Sequence, residues 1–133
     1  MTKEEIRAMG EALYKAQMTH EQVDCPSVHY PDITYEEAYA IQNVLVEEMR
    51  KSGMTLSGKK VGLTSKAMRK VSGINEPDYG YIFAELSFPN ESEIPLSQFI
   101  APRIECELAF KLKKDLDQEN VTVEDVLAAT EYV

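Results

Sequence analysis

Tryptophan is absent from the 133 residues, and the chain has only two cysteines, two histidines, six glycines and six prolines. Cys25 and Cys106 lie far apart and outside any Cys-x-x-Cys or Cys/His spacing, which excludes a disulfide framework and a thiolate zinc site. Both are expected as reduced structural thiols. His20 and His29 have no partners at metal-ligand spacing. No apolar run approaches the roughly 20 residues of a membrane span, and none follows the N-terminus as a signal segment would, so a cytoplasmic protein is expected. Cations are also scarce. Lys and Arg total 14 against 23 Asp and Glu, a net charge of −9 that argues against nucleic acid and against an anionic membrane as partner. A glycine-rich phosphate loop, a nucleophile elbow and a Ser/His/Asp set are all missing.

What is present is an ordinary globular composition, 44% hydrophobic and 28% charged, enough for one domain with a core. Thr2 with Glu5 forms a capping box, and Ile6, Met9, Leu13 and Ala16 recur at helical spacing, predicting a helix over 3–19. A breaker-rich loop runs from Val23 to Asp32. A second capping box, Thr34 with Glu37, predicts another helix with Ala38, Ile41, Leu45 and Met49 inward, ending at Gly53. Residues 1–57 are therefore expected as a helical lobe, with 58–133 as a second domain.

After Gly58 the period becomes two. Residues 59–64 are expected as a strand with Lys60, Gly62 and Thr64 on one face and Lys59, Val61 and Leu63 on the other. Ser65 is placed to cap a short helix with Met68 and Val71 inward, ending at Gly73. Residues 75–80 are expected as a loop, and Tyr81, Ile82 and Phe83 as a strand. The strongest alternation runs from Arg103 to Lys113, with Ile104, Cys106, Leu108, Phe110 and Leu112 on a core face. Thr122 is expected to cap a last helix bearing Val123, Val126 and Leu127, before a strand begins at Tyr132.

On that strand Glu105 and Glu107 stand at i and i+2, about 7 Å apart at Cα on one face. Two carboxylates that converge in this way suit a hard cation, Mg²⁺ or Mn²⁺, better than zinc. On the pattern alone, a solvated acidic face is the commoner outcome. Lys60 on an exposed strand is a surface charge, whereas on a pocket-facing strand it suits proton transfer. Asp78 in a Pro-containing loop is most simply a turn residue, and an acid/base role is the alternative. Arg103 shares the face of Glu105 and either pairs with an acid or contacts a substrate carboxylate.

Three ordered blocks change this balance: Gly58-Lys59-Lys60-Val61-Gly62-Leu63-Thr64-Ser65-Lys66-Ala67-Met68, Glu76-Pro77-Asp78-Tyr79-Gly80, and Pro102-Arg103-Ile104-Glu105-Cys106-Glu107-Leu108-Ala109-Phe110. Together they resemble the hydratase and decarboxylase branch of the fumarylacetoacetate hydrolase superfamily, and the resemblance spans nearly the whole chain. It implies an α+β fold: the helical N-terminal lobe, then part of a fumarylacetoacetase-like mixed β-roll, truncated because members run to about twice this length. It also implies Glu105 and Glu107 as two of three carboxylate ligands of Mg²⁺, with the third beyond Val133. Lys60 is then the proton shuttle and Asp78 a second catalytic carboxylate, with Thr64, Ser65 and Arg103 as substrate-binding candidates. The implied activity, in aromatic catabolism, adds water to an unsaturated 2-oxo acid, taking 2-oxohept-4-ene-1,7-dioate to 4-hydroxy-2-oxoheptanedioate in a homo-oligomer. The alternatives are hydration of 2-hydroxypentadienoate, decarboxylation of 2-oxo-3-hexenedioate, and an inactive half that serves only in assembly.

Overall fold

Thr2 and Thr34 each open a helix by the same reciprocal exchange. Thr2 Oγ1 accepts from the Glu5 amide at 3.2 Å while the Glu5 carboxylate accepts from the Thr2 amide at 2.7 Å, and Thr34 and Glu37 repeat this at 3.2 and 3.0 Å. The computed structural model describes residues 1–133, and it divides into two units, Met1–Ala101 and Pro102–Val133. That division falls inside the 58–133 segment expected as one domain.

In the first unit, α1 (Lys3–Thr19) and α3 (Tyr35–Lys51) flank a short helix, α2 (Pro26–His29), that the breaker-rich loop concealed. Proline at its first position supplies the fixed φ that lets so short a turn form. The Met1 amino terminus pairs with Glu37 and, with the Thr34 amide, holds that carboxyl below its ordinary range, tying the start of α1 to the start of α3. Ala16, Ile41 and Met49 are buried as expected, whereas Ala38 is exposed.

At Gly10, α1 packs closely on α3. A Cβ there would stand 2.5 Å from Val44 Cβ and 2.9 Å from the Ile41 carbonyl oxygen. Neither atom can swing aside. Gly10→Ala therefore forfeits the usual gain of about 1 kcal/mol for removing a helical glycine and costs a net of about 2 kcal/mol through overpacking. Urea unfolding checks this: the midpoint falls with the slope unchanged, and a midpoint at or above that of the unaltered chain refutes the close packing.

The sheet of this unit is a two-stranded antiparallel ladder of β1 (Leu56–Gly62) and β2 (Asp78–Phe83), with an irregular register between Leu56 and Gly58. The expected strand over 59–64 thus starts earlier and stops at Gly62, because Leu63 takes a left-handed φ of 52°. Asp78, Tyr79 and Gly80, expected in a loop, belong to β2. Between the strands lies α4 (Lys66–Ser72), capped by the Ser65 hydroxyl and ended by a left-handed Gly73. Met68 and Val71 on α4 are exposed rather than inward, Val71 by 82%. Single 3₁₀ turns at Ala84–Leu86 and Leu96–Gln98 follow. Phe83 is buried, and the Glu85 carboxylate accepts from the Thr55 amide at 3.0 and 2.9 Å.

In the second unit only Lys111–Leu112 (β3) is strand, paired antiparallel with β4 (Thr130–Tyr132) after α5 (Val123–Ala129). The long strand expected over 103–113 is thereby corrected: no partner strand lies beside residues 103–110, and a ladder needs two chains of backbone. Its expected core face is open, with Ile104 97% and Leu108 79% exposed. Cys106 is exposed too, as is Cys25, so neither thiol is a core residue. The Thr122–Asp125 capping box forms as expected, yet Val123 and Leu127 are exposed and the buried residue is Ala129. No helix of either unit is long and apolar enough to cross a membrane.

Candidate functional site

The β1–β2 ladder builds one face from three cross-strand pairs, each containing a glycine: Gly58 opposite Ile82, Lys60 opposite Gly80, and Gly62 opposite Asp78. Directly opposed residues point to the same side of a sheet. Lys60 and Asp78 therefore occupy diagonal corners of a square whose other corners are glycines, and each side chain lies over the glycine beside it. A Cβ on Gly80 would stand 3.6 Å from Lys60 Cγ, and one on Gly62 would stand 2.2 Å from Asp78 Oδ1. The glycines clear space for the two candidate side chains, which stand diagonally across one face, a relation invisible until the register is known. Both Lys60 and Asp78 are exposed.

The opposite face carries Lys59, Val61, Tyr79 and Tyr81. Tyr79 stacks on Tyr39 of α3 with ring centroids 4.6 Å apart, Tyr81 meets Tyr79 edge-on at 6.0 Å, and the Lys59 ammonium lies 5.8 Å from the Tyr81 ring centre. Gln42, also on α3, donates to the Tyr79 carbonyl at 3.4 Å, and its Oε1 lies 4.0 Å from where a Gly80 Cβ would be. These contacts fix β2 against α3 and so fix the plane on which Lys60 lies. Sequence reasoning missed Gln42 because a polar residue on a helix ordinarily reads as solvated.

Thr64 and Ser65 occupy the turn that leaves β1. Ser65 Oγ accepts the Met68 amide at 3.1 Å, which leaves its hydroxyl proton available. Arg69 Nη1 donates to the carbonyls of Leu63 at 2.7 Å and Thr64 at 2.8 Å. A left-handed leucine costs roughly 1–2 kcal/mol, and these charge-assisted bonds offset it. Spacing arguments do not find Arg69, because its partners are backbone atoms.

Arg103, Glu105 and Glu107 belong to the second unit, on the segment without a ladder, and all three are exposed. Pairing therefore does not impose the alternation expected to align the two carboxylates. No three His, Cys, Asp or Glu side chains converge in the structure. As a donor set, two carboxylates without nitrogen or sulfur fit a hard divalent ion that keeps several waters and falls short of a closed cage.

No family model matches the chain. It is 47% identical over 125 residues to 2-oxo-hept-4-ene-1,7-dioate hydratase of Escherichia coli, covering 94% of this chain and 47% of that protein. To 2-hydroxypent-2,4-dienoate hydratase of Pseudomonas putida it is 40% identical over 134 residues, covering 100% of this chain and 60% of the relative. Among solved structures, 4-oxalocrotonate decarboxylase from Pseudomonas putida G7, complexed with magnesium and adipate, matches with a TM-score of 0.92 at 28% identity. That match covers 99% of this chain and 50% of the decarboxylase. The chain belongs to the hydratase and decarboxylase branch of the fumarylacetoacetate hydrolase superfamily. Within that branch its named sequence relatives are hydratases acting on unsaturated 2-oxo or 2-hydroxy acids, and it spans about half the length of the curated relatives it matches.

Proposed function

We propose that the chain takes part in metal-dependent hydration of an unsaturated 2-oxo diacid, 2-oxohept-4-ene-1,7-dioate to 4-hydroxy-2-oxoheptanedioate, in a homo-oligomer. The observation that carries this reading is the glycine-cleared face shared by Lys60 and Asp78, in a chain 47% identical to a hydratase of that substrate. Glu105 and Glu107 are the residues that would hold Mg²⁺, or Mn²⁺ in its place, and the ion would supply positive charge that stabilises negative charge developing on the 2-oxo acid. Lys60 moves the protons. Taking one from C3 and delivering one to C5 shifts the double bond into conjugation with the ketone, which makes C4 electrophilic; water oxygen then bonds to C4 and a proton is delivered to C3. Asp78, on the same face as Lys60, is the second group able to hold a proton in transit. Thr64, Ser65 and Arg103 bind and orient the substrate. In domain terms, residues 1–57 serve as a docking lobe and 58–133 as the first part of the catalytic domain.

The test is calorimetry with Mg²⁺ and Mn²⁺, with and without oxalate as a mimic of the 2-oxo acid head, run beside a hydration assay on 2-oxohept-4-enedioate. Oxalate-enhanced metal binding together with the 4-hydroxy product supports the reading. Release of carbon dioxide from 2-oxo-3-hexenedioate, without hydration, overturns it in favour of decarboxylation. A second reading, a half that serves only in assembly, is favoured by the exposed Ile104, Leu108 and Phe110, and neither binding nor turnover would select it.

A further inference from the structure

Arg69 is half-buried, and its Nη1 donates to two successive carbonyl oxygens, Leu63 at 2.7 Å and Thr64 at 2.8 Å. These carbonyls belong to the turn at which β1 ends, where Leu63 has a φ of 52°. The same helix that carries Arg69 is capped by Ser65, so α4 grips the turn twice, through the Met68 amide on Ser65 Oγ and through the guanidinium. Leucine does not hold a left-handed conformation unaided. Strain kept in place by surrounding contacts, next to groups with a chemical task, points to a demand for position.

We infer that Arg69 is a positioning residue: its guanidinium clamps the Leu63–Ser65 turn and so sets Thr64 and Ser65 relative to Lys60, without itself meeting the substrate. This rests on the reading of Lys60 as proton carrier and of Thr64 and Ser65 as substrate contacts. Arg has the geometry for the task, because its rigid fork directs one nitrogen at two acceptors. A lysine keeps the charge and a flexible donor; a methionine keeps only the stem.

The experiment compares Arg69→Met and Arg69→Lys by two readouts on the same chain. Hydrogen exchange over residues 63–68 rises roughly tenfold in Arg69→Met, less in Arg69→Lys, while α1 and α3 exchange as in the unaltered protein. In the hydration assay KM rises roughly tenfold in Arg69→Met with a smaller change in kcat, and Arg69→Lys recovers part of the loss. Unchanged exchange at the turn, or exchange that rises equally through α1 and α3, overturns the clamp. Local loosening with KM unmoved overturns the positioning role. Absence of hydration by the unaltered chain overturns the functional reading instead, and the exchange readout then still decides whether the clamp exists.

Discussion

If the chain takes part in Mg²⁺-dependent hydration as proposed, Glu105→Gln and Glu107→Gln are each expected to lower that activity by roughly 10³-fold, the equivalent of several kcal/mol of transition-state charge stabilisation. Glutamine keeps the length and shape of the side chain and one neutral oxygen, so the loss isolates the negative charge. A hard ion of this kind is typically held by one or two protein carboxylates and otherwise by water and substrate. Each carboxylate, as a proposed ligand, would be a large share of the whole attachment. Both residues are exposed. Calorimetric titration of Mg²⁺ into each variant is the check, with circular dichroism as the control for structure. Undiminished Mg²⁺ affinity in either variant would sink that residue as a ligand.

How much of this was legible in the sequence divides by the range of the interaction involved. The helix starts at Thr2, Thr34, Ser65 and Thr122 could be read directly, because a cap is an exchange between residues three apart and needs nothing from the rest of the chain. The left-handed end at Gly73 was equally local. The alternation from Arg103 to Lys113 was the clearest period-two pattern, yet it became ladder only at Lys111 and Leu112, where β4 supplies a partner. A pattern states which faces a strand would have; it does not supply the neighbouring backbone that makes it a strand.

The candidate site divides in the same way. Lys60, Asp78, Thr64, Ser65, Arg103, Glu105 and Glu107 were singled out by motif blocks. The reason Lys60 and Asp78 come to share one face was not in the blocks. It lies in the register that sets Gly80 against Lys60 and Gly62 against Asp78, and register between segments some twenty residues apart is a tertiary property. Asp78 was misplaced into a loop because Pro77 reads as a breaker, although proline is compatible with the position just before a strand. Gln42 and Arg69 went unnoticed since each acts on a carbonyl oxygen, and every residue has one.

Gly62→Ala is expected to reduce kcat about 100-fold while hardly moving Tm, since a misplacement of about 1 Å at a reacting group is enough for such a loss. The new Cβ would stand 2.2 Å from Asp78 Oδ1 and 3.2 Å from its Cγ. What it strikes is the free end of a short side chain on an exposed face, so the carboxylate turns away and the ladder stays. Fold is preserved and placement is lost. Gly80→Ala makes the contrast, because its Cβ would meet Lys60 Cγ at 3.6 Å, an ordinary van der Waals distance, and the loss of rate is correspondingly smaller, below about tenfold. A double-mutant cycle identifies the route: if Gly62→Ala acts by displacing Asp78, it adds nothing to Asp78→Ala. Additive losses in that cycle would mean that Gly62 serves the site in some way other than by clearing room for Asp78. A large fall in Tm for Gly62→Ala alone would mean that the glycine is required by the β1–β2 ladder, and the pairing of glycines with functional residues would then be a property of the sheet rather than of the site.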